Sequence, residues 1–126
     1  MEITFGGNKK VNAYHNGFEI RTDQPESAGG DGSAPTPFDL FLASLGTCAG
    51  IFGVGFLQSR KLSAEGFKID ISFDRDEKSH MVKKVAMRVT LPKDFPQQYK
   101  TALIKSMELC TVKRHLAAPP EFEITA

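Results

Sequence analysis

The sequence predicts an α+β protein, with short antiparallel strands before and after one long apolar helix. Three observations favour this class. Residues 2–22 alternate between apolar and polar positions and contain an Asn-Gly pair typical of hairpins. No charged residue occurs between Asp39 and Arg60, as in a helix buried on every side. Residues 67–91 then return to a period of two. Strands grouped around helices in this way indicate an α+β architecture.

The first three strands are short and are separated by turn residues. We predict them over Glu2 to Phe5, Val11 to His15 and Phe18 to Thr22, with Asn16-Gly17 as a two-residue hairpin turn. Residues 23–37 that follow are crowded with Gly, Ser, Pro and Ala. A loop of about fifteen residues is long enough to suggest a functional role.

The long helix is predicted from Phe38 to Lys61. Its apolar run from Leu40 to Leu57 reaches the length of a membrane span, and Gly46 and Gly50 have the spacing that lets membrane helices pack closely. Four glycines and several small polar residues dilute this hydrophobicity, and amphipathic strands that need a water-facing surface flank the helix. We therefore favour the core helix of a soluble protein and expect no membrane partner.

A chain of 126 residues predicts one domain, over residues 1–126, which is too small to cover such a helix on every side. Gly46, Gly50 and Gly53 fall at i, i+4 and i+7, so they form a smooth stripe on one face. Another helix can approach such a stripe closely. The sequence therefore predicts a homodimer with this helix at its centre.

The second half of the chain is predicted to form a hairpin, a helix and a last strand. Alternation from Phe67 to Phe73 and from Val85 to Leu91 indicates two antiparallel strands with one wet face. A second helix runs from near Asp94 to Pro119-Pro120, with Cys110 on its buried face. Glu121 to Thr125 alternates like a final strand.

Charge and composition exclude several classes of function. The formal net charge is +1, from 16 Lys and Arg against 15 Asp and Glu, and no basic stripe follows the chain. Nucleic acid is therefore not expected as a partner. The N-terminus lacks the features of a secretory signal, so we expect a cytoplasmic protein. The three histidines lie far apart and no Cys-x-x-Cys occurs, so no metal site is expected.

The two cysteines, Cys48 and Cys110, are the residues with the most obvious chemistry. A reducing compartment disfavours a permanent structural disulfide, which leaves buried thiols or redox chemistry. Taken singly, each cysteine fits a plain core position as well as a reactive one. A thiol in an apolar helix has its pKa raised by burial, so a reactive Cys48 is expected to need a cation beside it.

Two motifs resemble those of the OsmC/Ohr family. The first is a glycine-rich loop, a proline, an acidic residue and a Leu-rich helix that reaches a cysteine, over residues 29–48. The second is Cys110-Thr111-Val112-Lys113, similar to the Cys-Pro-Val element of that family with threonine in place of proline. The resemblance covers nearly the whole chain. It implies an intertwined homodimer, in which two long central helices pack together and antiparallel sheets wrap around them.

The resemblance also implies an activity, because the characterised branches of this family reduce organic hydroperoxides and hydrogen peroxide by thiol chemistry. Cys48 would be the peroxidatic thiolate, which becomes a sulfenic acid, and Cys110 the resolving thiol that condenses with it. The expected partners are a small-molecule hydroperoxide and a thiol or dithiol reductant. No bound cofactor is implied.

The groups that would activate Cys48 follow the family pattern less closely. In the peroxidase branches an arginine stabilises the thiolate and is held by a glutamate ten residues before the cysteine, where this chain has Phe38. The nearest carboxylate is Asp39, and the arginine that precedes Cys48 is Arg21. This pattern indicates an outlying branch of the family, with Arg21 and Asp39 as candidate activating groups.

A non-catalytic function is the alternative. The long helix and its start carry several phenylalanines, and these would line an apolar pocket in a small-molecule-binding or redox-sensing dimer of the same fold. A row of aromatic residues at helical spacing is also typical of plain core packing. The candidate pocket residues are Phe38, Phe41, Phe52 and Phe56.

Overall fold

The computed structural model describes all 126 residues, and the protein is α+β with two small antiparallel sheets and three α-helices. Two single turns of 3₁₀ helix, at Glu26–Ala28 and Gln97–Tyr99, precede the first and the second α-helix. The chain divides into two compact units, residues 1–43 and 44–126, and the boundary falls within the first α-helix. The elements are β1 (Glu2–Phe5), β2 (Val11–His15), β3 (Phe18–Ile20), α1 (Pro37–Ser59), β4 (Lys68–Arg75), β5 (Val82–Thr90), α2 (Lys100–Met107) and α3 (Thr111–Ala117).

The first unit contains a three-stranded antiparallel sheet in the order β1-β2-β3. The predicted hairpin turn is present, since Asn16 and Gly17 both have positive φ, 50° and 80°, as a type I′ turn requires. His15 pairs with Phe18 directly across this turn. The third strand ends at Ile20, two residues earlier than predicted, although Val11 still donates its N–H to the carbonyl of Thr22.

The loop after this sheet is organised around a buried carboxylate. Asp23 is fully buried and accepts hydrogen bonds from the Ser33 hydroxyl at 2.7 Å and from the backbone N–H groups of Gln24, Asp31 and Ser33. These bonds, led by that of the Ser33 side chain, lower the pKa of Asp23 to about 2. Gly30 passes so close to Gln24 that a Cβ there would lie 1.9 Å from its carbonyl oxygen. The glycine-rich loop is therefore a fixed structure.

The second unit is built around the part of α1 that follows Ala43. Its core includes Leu57 and Leu103, both fully buried, together with Phe95 and Met107. Strands β4 and β5 pair as the predicted antiparallel hairpin, with Ile69 opposite Val89. A register shift at Asp74 and Arg75 ends the regular ladder near the turn. These elements bring α1, the hairpin and α2 into one core.

The glycine stripe of α1 packs against β4 of the same chain, which corrects the prediction that a helix of a second subunit approaches it. Cβ atoms built at Gly46 and Gly50 would lie 2.3 and 3.6 Å from the Cδ1 atoms of Ile71 and Ile69. One built at Gly53 would lie 2.7 Å from the Phe67 ring. The side chains of Phe67, Ile69 and Ile71 thus pack against the glycine stripe. Because the glycines have no side chains, the sheet can approach the helix closely.

The uncovered side of α1 is a different face. Thr47, Ile51 and Gly55 follow one another at intervals of four residues and are exposed, Ile51 by 73%. By length and composition α1 also qualifies as a membrane span, with a mean hydropathy of 2.0 over 18 residues of which 39% are buried. A single helix of this kind is weak evidence for a membrane, since core helices of soluble proteins share these properties.

The C-terminal part departs from the prediction in two places. The predicted second helix is interrupted between Met107 and Thr111, because Cys110 adopts an extended ψ of 119° and begins α3. The predicted strand over Glu121 to Thr125 is wrong, since residues 118–126 form no helix or strand. The chain offers that segment no neighbouring strand, and Phe122 and Ile124 are almost fully exposed.

Replacing Gly53 with alanine is expected to destabilise the protein by about 1 to 3 kcal/mol, because the new methyl group overlaps the Phe67 ring and meets Met107. Gly50→Ala is the matched control, since its Cβ makes an ordinary contact of 3.6 Å and helix propensity favours alanine by about 1 kcal/mol. Urea denaturation measures both variants. Equal stability of the two would contradict the packing described for the stripe.

Candidate active site

Both cysteines lie in the second unit, and the fold brings them together. Cys48 is in the middle of α1 and is partly exposed, whereas Cys110 is 2% exposed and joins the core cluster against which Cys48 packs. Both are free thiols. Cys48 and Cys110 are 62 positions apart in the sequence, and the packing of α1 against the turn between α2 and α3 brings them together.

Cys110 is held in place by the break between the two short helices. Its Sγ accepts a hydrogen bond from the backbone N–H of Lys113 at 3.5 Å, so the side chain is the N-cap of α3. Its thiol also lies 3.9 Å from the carbonyl oxygen of Leu45, on the turn of α1 before Cys48. The extended backbone of Cys110 directs its sulfur into the core and starts a new helix beside Cys48.

The start of α3 supplies the groups that favour a Cys48 thiolate. The backbone N–H of Val112 lowers the pKa of Cys48 most, followed by a hydrogen bond from the Cys110 thiol and a smaller one from the N–H of Thr111. Partial burial opposes these effects, and the resulting pKa lies below the ordinary value of 9.0. Hydrogen bonds to the charged form explain this direction, because they stabilise the thiolate and not the thiol.

This arrangement corrects the expectation that burial raises the pKa of Cys48 and that a cation must offset it. Two backbone amides and a neighbouring thiol lower it within the chain itself. Thiolate rather than thiol is the nucleophile, so Cys48 can react at a lower pH than an ordinary cysteine. The spacing of residues in the sequence does not reveal this effect, because it does not show which way the backbone N–H groups of Thr111 and Val112 point.

We expect the alkylation rate of Cys48 by iodoacetamide to rise with pH around a midpoint below that of cysteine in the urea-unfolded chain. Cys110→Ala should move the midpoint upward, because it removes one of the three donors and leaves the amides of Thr111 and Val112. Mass spectrometry of the alkylated peptide measures the rate. An unchanged midpoint in Cys110→Ala would show that the two thiols do not interact.

Arg21, a candidate activating group, lies in the first unit and forms a cluster of its own. Its Nε donates to a carboxylate oxygen of Glu19 at 2.8 Å, and the Tyr14 hydroxyl donates to the other oxygen of Glu19 at 2.7 Å. The hydrogen bonds from Tyr14 and Arg21 lower the pKa of Glu19. Arg21 is thus held by the carboxylate of Glu19, a residue that no motif in the sequence singles out.

Asp39, the second candidate activating group, caps the start of α1. Its carboxylate accepts hydrogen bonds from the backbone N–H of Thr36 at 3.0 Å and from the Thr36 hydroxyl at 2.7 Å. The Thr36 oxygen in turn accepts from the N–H of Asp39 at 3.1 Å. This reciprocal pattern is a capping box. It gives Asp39 a role in helix initiation that is sufficient to explain an acid at this position.

The phenylalanines predicted to line a pocket occupy separate surroundings. The rings of Phe38 and Phe41 contact each other with centroids 5.4 Å apart, and the Phe52 carbonyl accepts a hydrogen bond from the Ser106 hydroxyl at 3.4 Å. Phe56 is a core residue whose ring is packed against Tyr99 and covered by the guanidinium of Arg60. Their role as pocket residues stays a prediction.

An apolar cavity of about 320 Å³ lies beside Cys110 instead. Apolar side chains of α1, β5, α2 and α3 line it, with Glu108 and Lys113 as its two charged residues, both exposed. Cys110 belongs to the lining and Cys48 does not. The sequence signal for this cavity was the alternation of β5, because three inward-facing residues of that strand form one wall of the cavity. These three are Val85, Met87 and Val89.

No group of three or more His, Cys, Asp or Glu residues is placed to hold a metal ion. The site itself offers a partly exposed sulfur with a lowered pKa, a second thiol packed close to it, and an adjacent apolar cavity. Such a pair can pass through sulfenic acid and disulfide states.

Comparison with known proteins gives one family match. Residues 30–125, more than half of the chain, match the family described as OsmC-like protein. No curated protein sequence matches the chain. The match includes α1, the β4–β5 hairpin and both cysteines, and so covers the whole candidate site.

Solved structures with the same fold are also found. A protein of Psychrobacter arcticus 273-4, named for osmotic stress induction and a detoxification response, is 21% identical with a TM-score of 0.77, over 90% of this chain and 84% of that chain. An organic hydroperoxide resistance protein OsmC of Legionella pneumophila, also described as a redox protein, is 19% identical with a TM-score of 0.55, over 91% and 85%. At these identities the likeness establishes a shared fold.

Proposed function

The chain belongs to the OsmC-like family, and we propose that it is a thiol-dependent peroxidase that reduces organic hydroperoxides or hydrogen peroxide with Cys48 and Cys110. The observation that carries this proposal is the packing of Cys48 against the core cluster that contains Cys110, beside the start of α3. A sulfur with a lowered pKa and a second thiol close to it are what peroxide reduction by two cysteines requires.

The reaction divides between the two sulfurs. The Cys48 thiolate attacks one oxygen of the peroxide, the O–O bond breaks, and the departing alkoxide takes a proton to leave as an alcohol. Cys48 is then a sulfenic acid. The Cys110 thiol attacks that sulfur, a disulfide forms, and the hydroxyl group leaves as water with the Cys110 proton. A thiol or dithiol reductant restores both thiols, and the cytoplasm is the compartment that supplies one.

The similar structures support the proposal by the function in their names. The protein of Legionella pneumophila is named for organic hydroperoxide resistance, and that of Psychrobacter arcticus for osmotic stress and detoxification. These names describe those proteins. Because their sequence identity to this chain is low, the likeness establishes only a shared fold. Together with the geometry of the cysteine pair, they favour hydroperoxides over other thiol-reactive substrates.

The proposal includes a homodimer, in which α1 meets its symmetry mate through the face that carries Ile51. The Ile51 side chain is large, apolar and 73% exposed, and the helix that carries it has no charged residue from position 40 to 59. This combination is typical of a helix at an interface and not of a helix on the protein surface. The neighbouring exposed residues at intervals of four, Thr47 and Gly55, are small. Small residues allow two helices to approach closely.

A second candidate function is supported by the cavity beside Cys110. A volume of about 320 Å³ with apolar walls is within the range of small-molecule sites, so a non-catalytic binding or redox-sensing dimer fits the same fold. Catalytic turnover distinguishes the two candidates. A sensor would be oxidised once per chain, whereas a peroxidase consumes many equivalents of hydroperoxide.

The proposed function is tested by following the consumption of cumene hydroperoxide by the purified protein with dithiothreitol as reductant. We expect many turnovers per chain and a rate that rises with pH in step with the alkylation of Cys48. Consumption of no more than one equivalent per chain, with reductant in excess, would contradict the peroxidase and favour the sensor.

A further inference from the structure

The start of α3 depends on sulfur as its hydrogen-bond acceptor. Its first turn has no acidic residue and carries Lys113, although the N-terminus of a helix favours negative charge. The Cys110 sulfur caps the helix by accepting a hydrogen bond from the backbone N–H of Lys113 at 3.5 Å. In the same turn the backbone N–H groups of Thr111 and Val112 favour the thiolate of Cys48. The state of the two sulfurs therefore bears on the stability of α3.

Few contacts outside its caps hold α3 in its helical form. It has seven residues, fewer than an isolated helix needs in water. None of its residues is fully buried, and Val112 is the one half-buried residue that packs against the core. Leu116 is 53% exposed, and residues 118–126 that follow form no helix or strand. A short helix with so little buried surface depends strongly on its N-cap.

We propose that a disulfide between Cys48 and Cys110 releases α3, so that the redox state of the sulfur pair decides whether the C-terminal helix is ordered. This inference rests on the disulfide of the proposed function and adds a conformational change to it. A segment that passes from order to disorder after a local chemical event is a common form of molecular switch. The oxidised protein then presents a different surface from the reduced protein.

Oxidation removes the sulfur acceptors in one step. The two thiols give up two hydrogen atoms and one S–S bond forms, while a hydroperoxide becomes an alcohol and water, or diamide becomes its hydrazine. Neither sulfur is then a thiolate, so the negative charge that the amides of Thr111 and Val112 stabilise is lost. The Cys110 sulfur becomes neutral and bonded to two heavy atoms, which makes it a weak acceptor for the N–H of Lys113.

The change falls on α3 because the neighbouring helices are held by other means. Cys48 lies in the middle of α1, a helix of 23 residues. Helix α2 has Leu103 and Met107 buried in the core and no sulfur at its start. Cys110 itself is 2% exposed and belongs to the same core. Of the elements beside the sulfur pair, α3 buries the least and is therefore the one that opens.

The test compares amide hydrogen exchange of the full-length protein in its reduced and diamide-oxidised forms. We expect exchange in residues 111–117 to accelerate about tenfold or more on oxidation, because the helix loses its cap and its charge-assisted hydrogen bonds. Residues 100–107 of α2 are the internal control and should keep their rates. Equal rates for α3 in the two forms, equal acceleration of α2, or no disulfide after diamide would overturn the inference.

Cys48→Ser and Cys110→Ser separate the disulfide from other effects of diamide. Neither variant can form the disulfide, and in Cys110→Ser the serine hydroxyl replaces the sulfur as an N-cap. We expect diamide to leave the exchange of α3 unchanged in both variants. Acceleration in either of them would assign the effect to something other than the disulfide and would reject the switch.

A glutamate in the first turn of α3 supplies negative charge in both redox states. Lys113→Glu places a carboxylate where the helix N-terminus favours one, so it should reduce the acceleration on oxidation about threefold. Lys93→Glu is the matched control, since Lys93 is also exposed and lies outside α3, and the change in net charge is the same. It should leave the acceleration as in the wild type. An equal effect of the two variants would exclude the cap as the cause.

Diamide forms the disulfide without a peroxide, which separates this inference from the proposed function. Turnover of hydroperoxide with α3 equally ordered in both forms would keep the peroxidase and reject the switch. Release of α3 by diamide without turnover would reject the peroxidase and keep the switch, in agreement with the redox-sensing alternative.

Discussion

Cys48→Ser is expected to lower the turnover of cumene hydroperoxide by about a thousandfold or more, because the hydroxyl of serine is neither ionised nor nucleophilic at neutral pH. The backbone amides of Thr111 and Val112 stay in place in this variant, so the loss reports the sulfur itself. The measurement is hydroperoxide consumption with dithiothreitol. Retention of most of the activity would exclude Cys48 as the attacking group.

Cys110→Ser provides the control for that variant within the same site. It keeps the Cys48 thiolate, so one equivalent of hydroperoxide should still be consumed rapidly. The sulfenic acid has no neighbouring thiol to condense with and should accumulate, to be labelled by dimedone. If both variants lost the first equivalent alike, the division of roles between the two cysteines would be wrong.

Ile51→Glu is expected to separate the proposed dimer into monomers. A two-fold interface contains the substituted residue twice, and an unpaired carboxylate that has to be buried costs several kcal/mol in each copy. The dissociation constant should therefore rise by about a thousandfold or more. Analytical ultracentrifugation across a range of protein concentrations measures the change.

Met81→Glu is the matched control, since Met81 is an apolar residue of similar exposure, 68%, that lies at the β4–β5 turn. It should leave the dimer intact. A dimer that persists in Ile51→Glu would place the interface on another surface, and a monomeric wild type would contradict the dimer itself.

The parts of the fold that depend on local sequence were predicted correctly. The Asn16-Gly17 turn needs two residues that tolerate positive φ, and the alternation of β4 follows from one buried face. The strand expected after Pro120 failed for a non-local reason, because alternation defines a strand only when another strand is available to pair with it.

Two further differences have the same origin. The apolar spacing from Tyr99 to Cys110 is that of a continuous helix, and nothing in it reveals that Cys110 would cap a new helix by accepting a bond from Lys113. The glycine stripe of α1 correctly indicated a close approach, but a stripe without side chains fits a sheet as well as a helix. Which element packs against the glycine stripe depends on how the rest of the chain folds.

The candidate site was only partly accessible from the sequence. The pairing of Cys48 with Cys110 came from the resemblance of two motifs, and in the structure Cys48 packs against the core cluster that contains Cys110. The lowered pKa of Cys48 was not foreseen, because backbone N–H groups are present at every position and only their direction matters. The cavity beside Cys110 combines four elements, so no single motif contains it.

The proposed redox pair is tested most directly by adding one equivalent of cumene hydroperoxide to the fully reduced protein and analysing its peptides without reduction. We expect the loss of two hydrogen atoms from the intact chain and a disulfide that joins the peptides of Cys48 and Cys110. Cys48 oxidised only to a sulfenic acid with Cys110 still a free thiol, or no oxidation of either sulfur, would contradict it.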